Sequence, residues 1–192
     1  MPRLFTALEI PDDVRSAISI MRGGLPGARW IDPENYHVTL RFIGDVDDYL
    51  AREAAFILGQ IRRESFEIKF DTLSSFGGNR PRAIVALLVP TPQLMELQGE
   101  HERLLRRVGL EPEGRKFTPH VTLARLRHSS SYEVADYFST RGPIRAPVFE
   151  PERFVLFSSR DSVGGGPYVV EAEYPFLETP QHLPQAHRAS RA

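Results

Sequence analysis

The sequence predicts a mixed fold of strands and helices, α+β or α/β, in two matching lobes with a cleft between them, and two observations carry that reading. The tetrapeptide His-Val-Thr-Leu occurs twice, at residues 37–40 and 120–123. Each copy follows the same order of patterns. An apolar strand run at 4–10 and an amphipathic helix to about Met21 precede the first; a run at 83–89 and a helix to about Val108 precede the second. The strand runs are offset by about 80 residues and the histidines by 83, so the flanks repeat with the motif. Two β-α-β units facing one another leave a cleft at their junction, a usual place for a small-molecule site.

In chain order, the apolar run 4–10 is a strand ended by Pro11-Asp12-Asp13, which starts a helix. Val14, Ala17, Ile18 and Met21 recur at helical spacing until Gly23-Gly24 and Pro26, predicting about four turns. A short strand at 28–31 and a turn at 32–35 lead into the first His-Val-Thr-Leu. A second helix is expected over 47–63, with Leu50, Ala54, Ile57, Leu58 and Ile61 on its stripe. Residues 65–73 alternate Phe66, Ile68 and Phe70 with polar neighbours, the pattern of a half-buried strand, and 74–82 is turn-rich. Residues 83–89 read as a central strand. Pro92 opens a third helix carrying Leu94, Leu97, His101, Leu104, Leu105 and Val108 on one stripe. After a loop, Pro119 holds the chain extended at the start of the second motif strand, which runs to Arg127. A short helix at 131–138 and strands at 149–158 and 168–176 complete the pattern, with a hairpin-like connection at 160–167. Residues 178–192 hold little apolar content and are expected to be a disordered tail, leaving 1–177 as a single bilobal domain.

Composition narrows the chemistry. With 24 basic and 25 acidic residues the net charge is −1, so no global positive field coats nucleic acid, and any contact with it is local. No cysteine is present, which excludes thiol nucleophiles and cysteine metal sites and agrees with a reducing compartment. No run approaches the roughly 20 apolar residues of a membrane span and no signal-peptide pattern begins the chain, so a soluble, cytoplasmic protein is expected, and it is taken to be a monomer. Histidine is left to carry proton chemistry near neutral pH.

On a strand, residues two apart face the same side. His37 with Thr39, and His120 with Thr122, therefore present an imidazole and a hydroxyl each to one face, while valine and leucine pack on the other. Such a pair suits acid and base catalysis on a phosphate, where the attacking oxygen is deprotonated on one side of phosphorus and the leaving oxygen protonated on the other. Two imidazoles with ordinary pKa values near 6.5 can supply one neutral and one protonated ring, giving a bell-shaped pH profile. Charge on the non-bridging oxygens would be met by the two threonines and by a cation, with Arg41, Lys116 and Arg125 as candidates. Arg41 and Lys116 lie four residues from a histidine, on its face if the strands are regular. Arg125, five beyond His120, points inward only if a bulge or strand end turns it. Phe42, Trp30 and Phe117 are aromatic candidates for stacking on a base, Phe117 foremost by position, each weighed against an ordinary core role.

The residues that carry these features also carry a resemblance. The two His-x-Thr-x motifs, with Arg29-Trp30, Arg41-Phe42-Ile43-Gly44, Arg80-Pro81-Arg82, Phe117-Thr118-Pro119, Ala124-Arg125 and the stretches at 156–159 and 166–168, resemble the 2H phosphoesterase superfamily. Within it they are similar to the bacterial and archaeal RNA 2′,3′-cyclic phosphodiesterases, once described as 2′-5′ RNA ligases. The resemblance spans about residues 3 to 177 and implies a bilobal fold whose two pseudo-symmetric lobes each hold a mainly antiparallel sheet with helices packed outside. It implies hydrolysis of a terminal 2′,3′-cyclic phosphate to a 2′-phosphomonoester without a metal or other cofactor, on RNA ends or small cyclic nucleotides. It also implies His37 as proton donor, His120 as proton acceptor, and Thr39 and Thr122 as phosphate ligands.

Rival readings remain beside it. A zinc site could draw on His37, His101, His120, Asp45 and Asp47, but no His-x-His or His-Glu-x-x-His spacing is present. Gly164-Gly165-Gly166 lacks the ending and following helix of a phosphate loop. His101, His128, His182 and His187 read as structural or solvated. A non-catalytic RNA-end binder would be served as well by arginine or lysine as by two histidines, and reversible 2′-5′ ligation would use the same atoms in the other direction.

Overall fold

The computed structural model describes residues 3–159 and 166–178. The expected tail beyond residue 178, with His182 and His187, and most of the connection expected at 160–167 lie outside the described residues. Eight strands form one sheet: β1 (Arg3–Glu9), β2 (Ala28–Trp30), β3 (His37–Asp45), β4 (Phe70–Phe76), β5 (Ala83–Leu88), β6 (His120–Leu126), β7 (Arg153–Ser159) and β8 (Val169–Pro175). Their order is β4-β5-β6-β3-β1-β7-β8, with β2 on β6, and every pairing among them is antiparallel. The triplet β4-β5-β6 mirrors β7-β1-β3, so the sequence repeat becomes two half-sheets. They join where Val38 pairs with Val121.

Helices α1 (Asp12–Ser19), α2 (Asp48–Leu58), α3 (Pro92–Arg107) and α4 (Ser131–Ser139) cover one face of the sheet. Each starts as its sequence directs. Asp47 and Thr91 accept from backbone N–H groups in the first turns of α2 and α3, and Ser130 with Glu133 forms a capping box for α4. Buried Val14, Ile18, Leu58, Leu94, Leu97 and Leu105 meet Leu8, Val38, Leu40, Ile84, Val121 and Leu123 from the strands in one core. The opposite face carries a smaller cluster of Phe5, Ala7, Val155 and Phe157.

Several elements are shorter or shifted relative to their patterns. α1 is eight residues rather than four turns, because Gly23 and Gly24 adopt positive φ and the chain turns away at once. α2 ends at Leu58, capped by Gly59. The alternation at 65–73 is real in burial, with Phe66, Ile68 and Phe70 inside, yet regular pairing begins only at Phe70 and reaches Phe76. The turn predicted over 74–82 is therefore confined to its second half. None of the four helices is long and apolar enough to cross a membrane, among the described residues.

Candidate active site

His37 and His120 each open a strand, on the sheet face that the helices leave uncovered. The antiparallel register through Val38 and Val121 sets His37 across from Thr122 and His120 across from Thr39. The four motif side chains thus meet at one point of the fold, each half-buried.

The two rings are held alike. His37 Nδ1 lies 2.9 Å from the Asn35 carbonyl oxygen, and His120 Nδ1 lies 2.7 Å from that of Thr118, in each case two residues earlier. A carbonyl only accepts, so each ring carries its proton on Nδ1, and Nε2 on the far side of the ring keeps its lone pair. Gly166, at positive φ, packs so closely on Asn35 that a Cβ there would collide with the Asn35 side chain. Tyr168 follows, edge-on to His37 at 5.0 Å, with Phe5 at 5.2 Å and Phe157 at 6.1 Å from the same ring. His120 meets the edge of Phe76 at 4.7 Å.

Burial pushes the His37 pKa down to about 4, against the pull of the Asn35 hydrogen bond, and the charges of His120 and Arg125 push the same way. His120 is lowered as well, by burial and by Arg125, against its bond to Thr118. Both rings are thereby biased toward the neutral form in the free protein. The negative charge of a bound phosphate is what would bring a proton to one of them.

A bulge repeated in both halves corrects the reading of the arginines. Ala7 pairs with Thr39 but Thr6 with Arg41, so Leu40 is an extra residue in β3; Val85 pairs with Thr122 but Ile84 with Ala124, so Leu123 is extra in β6. The burial sequence from each histidine is the same: half-buried, buried, half-buried, buried, buried, exposed. The bulge reverses strand alternation beyond each threonine. Arg41, expected beside the phosphate, is instead turned to the helix side, 7% exposed, where it bonds Glu102, the Glu111 carbonyl and the Phe42 carbonyl. Arg125 is turned onto the histidine face, where its charge acts on both rings. Phe42 takes the equivalent place in the first half, 48% exposed with its ring 5.7 Å from Phe5.

Two other candidates are changed. Lys116 is exposed in an irregular loop ahead of β6, so the strand alternation that placed it beside His120 does not reach it. Phe117 is half-buried and packs on one side against the main core, as does Trp30, whose ring meets Tyr137 at 5.8 Å. Phe42 is the exposed aromatic of the three. Sequence reasoning missed Phe5, Phe76, Phe157 and Tyr168, which stand on four strands or strand ends and converge only through the sheet order. His101 is fully buried in α3, away from the two motif histidines, with Nδ1 2.8 Å from the Leu97 carbonyl and its ring edge-on to Phe154. Among the described residues no three His, Asp or Glu side chains are grouped as a metal would require.

Known proteins share the sequence pattern and the fold of this chain. The profile of the family described as LigT like Phosphoesterase matches residues 8–85 and again 87–168, the two halves of the repeat. A protein of Aeropyrum pernix named RNA 2′,3′-cyclic phosphodiesterase is 40% identical over 111 residues, 57% of this chain and 62% of that one. One of the same name from Thermotoga maritima is 30% identical over 184 residues, 91% of this chain and 95% of its own. Among solved structures, E. coli LigT complexed with 3′-AMP superposes with a TM-score of 0.75 at 26% identity, covering 92% of this chain and 99% of that one. TT0787 of Thermus thermophilus shares the fold with a TM-score of 0.76 at 20% identity, covering 90% and 97%.

Proposed function

The chain belongs to the LigT-like phosphoesterase family and is a phosphoric diester hydrolase of the cyclic phosphodiesterase kind. From that premise we propose that it opens RNA 2′,3′-cyclic phosphate ends to 2′-phosphomonoesters with His37 and His120 as its two proton-transfer groups. The observation that carries the reading is the paired Nδ1 hydrogen bonds, which leave two Nε2 lone pairs available at one site. A neutral imidazole can take a proton from water. Its twin, protonated under the negative charge of the bound phosphate, can give one to the departing oxygen.

The reaction then balances simply. His120 removes a proton from water as its oxygen attacks phosphorus, the P–O3′ bond breaks on the opposite side, and His37 protonates O3′. Thr39 and Thr122 hydroxyls donate to the non-bridging oxygens, and Arg125 supplies the positive charge that meets their growing negative charge. The assignment of donor and acceptor rests on the asymmetry of the walls. Phe5, Phe157 and Tyr168 surround His37, and Phe42 stands beside Phe5. Such rings suit a nucleoside, whose ribose would then bring O3′ to the His37 side.

The test is turnover of an RNA oligonucleotide ending in a 2′,3′-cyclic phosphate beside the same oligonucleotide with an ordinary 3′-hydroxyl end. Consumption of the first and not the second is the expected result. Binding without turnover would make the chain an RNA-end binder, and joined product from matched ends would make ligation its main direction.

A further inference from the structure

The histidines stand on β3 and β6, which share a single backbone pairing at Val38 and Val121, whereas β1 with β3 and β5 with β6 pair along most of their length. The spacing of the two rings therefore depends on what else crosses from one half to the other. β2 adds a ladder to β6 and Arg63 pairs with Glu96 and Glu100 of α3; on the helix side of β3 a further charged side chain crosses. Arg41, aimed there by the bulge at Leu40, donates from Nε to Glu102 of α3 and from a terminal nitrogen to the carbonyl of Glu111. The other oxygen of Glu102 accepts from the Glu113 backbone N–H at 3.1 Å. One ion pair thus ties the first half to a helix and to a loop of the second.

That loop runs from Val108 to Pro119 without regular structure and ends at the Thr118 carbonyl, which sets the His120 tautomer. Its far end is fixed by the Pro119 carbonyl, which accepts from Leu88. Toward its start, the clamp from Arg41 and Glu102 holds residues 111–113. The corresponding position of the second half is Ala124, which is too short to make a reciprocal contact, so the clamp acts in one direction only.

Building on the two-histidine reading above, we propose that Arg41 is a positioning residue: through Glu102 and the 111–113 loop it holds Thr118 and His120 in line with His37. A planar guanidinium suits the task because its fork engages a carboxylate and two carbonyls at fixed angles, which an ammonium cannot do. Little solvent reaches the pair, so losing one partner strands the other, while replacing both with apolar side chains restores a packed interior.

The experiment compares Arg41→Met, Glu102→Leu and the double variant, with Arg41→Lys as a milder change should Arg41→Met fold poorly. It measures kcat and KM on a 2′,3′-cyclic mononucleotide, the thermal midpoint, and ring-nitrogen NMR shifts of both histidines. Arg41→Met is expected to lower kcat by about tenfold or more, in the range that misplaced catalytic groups cost, while leaving KM within about twofold by the same criterion for a lost transition-state contact. His120 should lose its Nδ1–H tautomer while His37 keeps it. The double variant should recover the thermal midpoint without recovering kcat. A raised KM with unchanged kcat would instead make Arg41 a phosphate ligand, and recovery of kcat with the midpoint would make the pair structural only; either overturns the proposal. The NMR comparison reads positioning even where the wild type turns over no cyclic phosphate, which would overturn the functional reading alone.

Discussion

Val38 and Val121 pair across the line where the two half-sheets meet, and each sits between a histidine and a threonine of its own strand. The pairing sets His37 against Thr122 and His120 against Thr39, so either half alone offers only half a site. The consequences below follow from that arrangement and from the bulges that flank it.

The pH optimum of kcat/KM should lie between about 4 and 6.5. One ring must be protonated and the other neutral in the free protein, and both are held below the ordinary histidine value, His37 at about 4. The optimum of kcat should lie at higher pH, because bound phosphate favours the charged ring. Initial rates across pH at low and saturating substrate check both. A kcat/KM optimum above pH 7 would contradict the burial of these rings.

Arg125→Met should move the acid-side optimum upward, since the arginine charge lowers both histidines. It should also slow the reaction by about 10-fold or more, the scale on which a charge-stabilising donor is missed. A variant that loses rate without any shift of the profile would place Arg125 away from the rings.

Phe42→Ala should raise KM for an oligonucleotide with little change in kcat. A base stacked on an aromatic ring is worth about 1–3 kcal/mol, roughly 5- to 150-fold in affinity. The ring is half in solvent, so the thermal midpoint should hardly move. Equal KM values for variant and wild type would show that the base lies elsewhere.

The placement of Phe42 and Arg125 also shows what could be read before the fold was known. The repeat, the strand and helix order and the four motif residues follow from spacing, because period and position are written locally. The bulges are not visible in the first copy, where Val38, Leu40 and Phe42 alternate as a regular strand would. The second copy does carry the signal: its apolar positions pass from Val121 and Leu123 to Ala124 and Leu126, a change of phase that only an extra residue explains. The aromatic wall around His37 had no local sign, since Phe5, Phe157 and Tyr168 come from both ends of the chain and meet through β1 and β7 pairing.

Acid should unfold the protein through its buried imidazoles. His101 is fully buried, and its folded pKa is pushed down to about 4 by that burial. The unfolded chain therefore binds the extra proton first, so stability is whole above pH 6.5 and falls as pH drops toward 4. The gap is worth roughly 3 kcal/mol at full protonation. His101→Gln, whose amide can still donate to the Leu97 carbonyl, should be less stable at pH 7 but show a shallower acid slope in denaturant titrations. An unchanged slope would assign acid unfolding to other groups.

The most direct measurement of the two-histidine account is product analysis by phosphorus NMR. An RNA oligonucleotide with a 2′,3′-cyclic phosphate end is incubated in EDTA with the wild type, His37→Ala or His120→Ala, each first shown to be folded. The wild type should yield the 2′-phosphomonoester alone, and each variant should be slower by about 10²-fold or more, the contribution of a single acid or base. Undiminished turnover by either variant, or a 3′-phosphate product, would contradict a site in which His37 and His120 stand on opposite sides of one phosphorus.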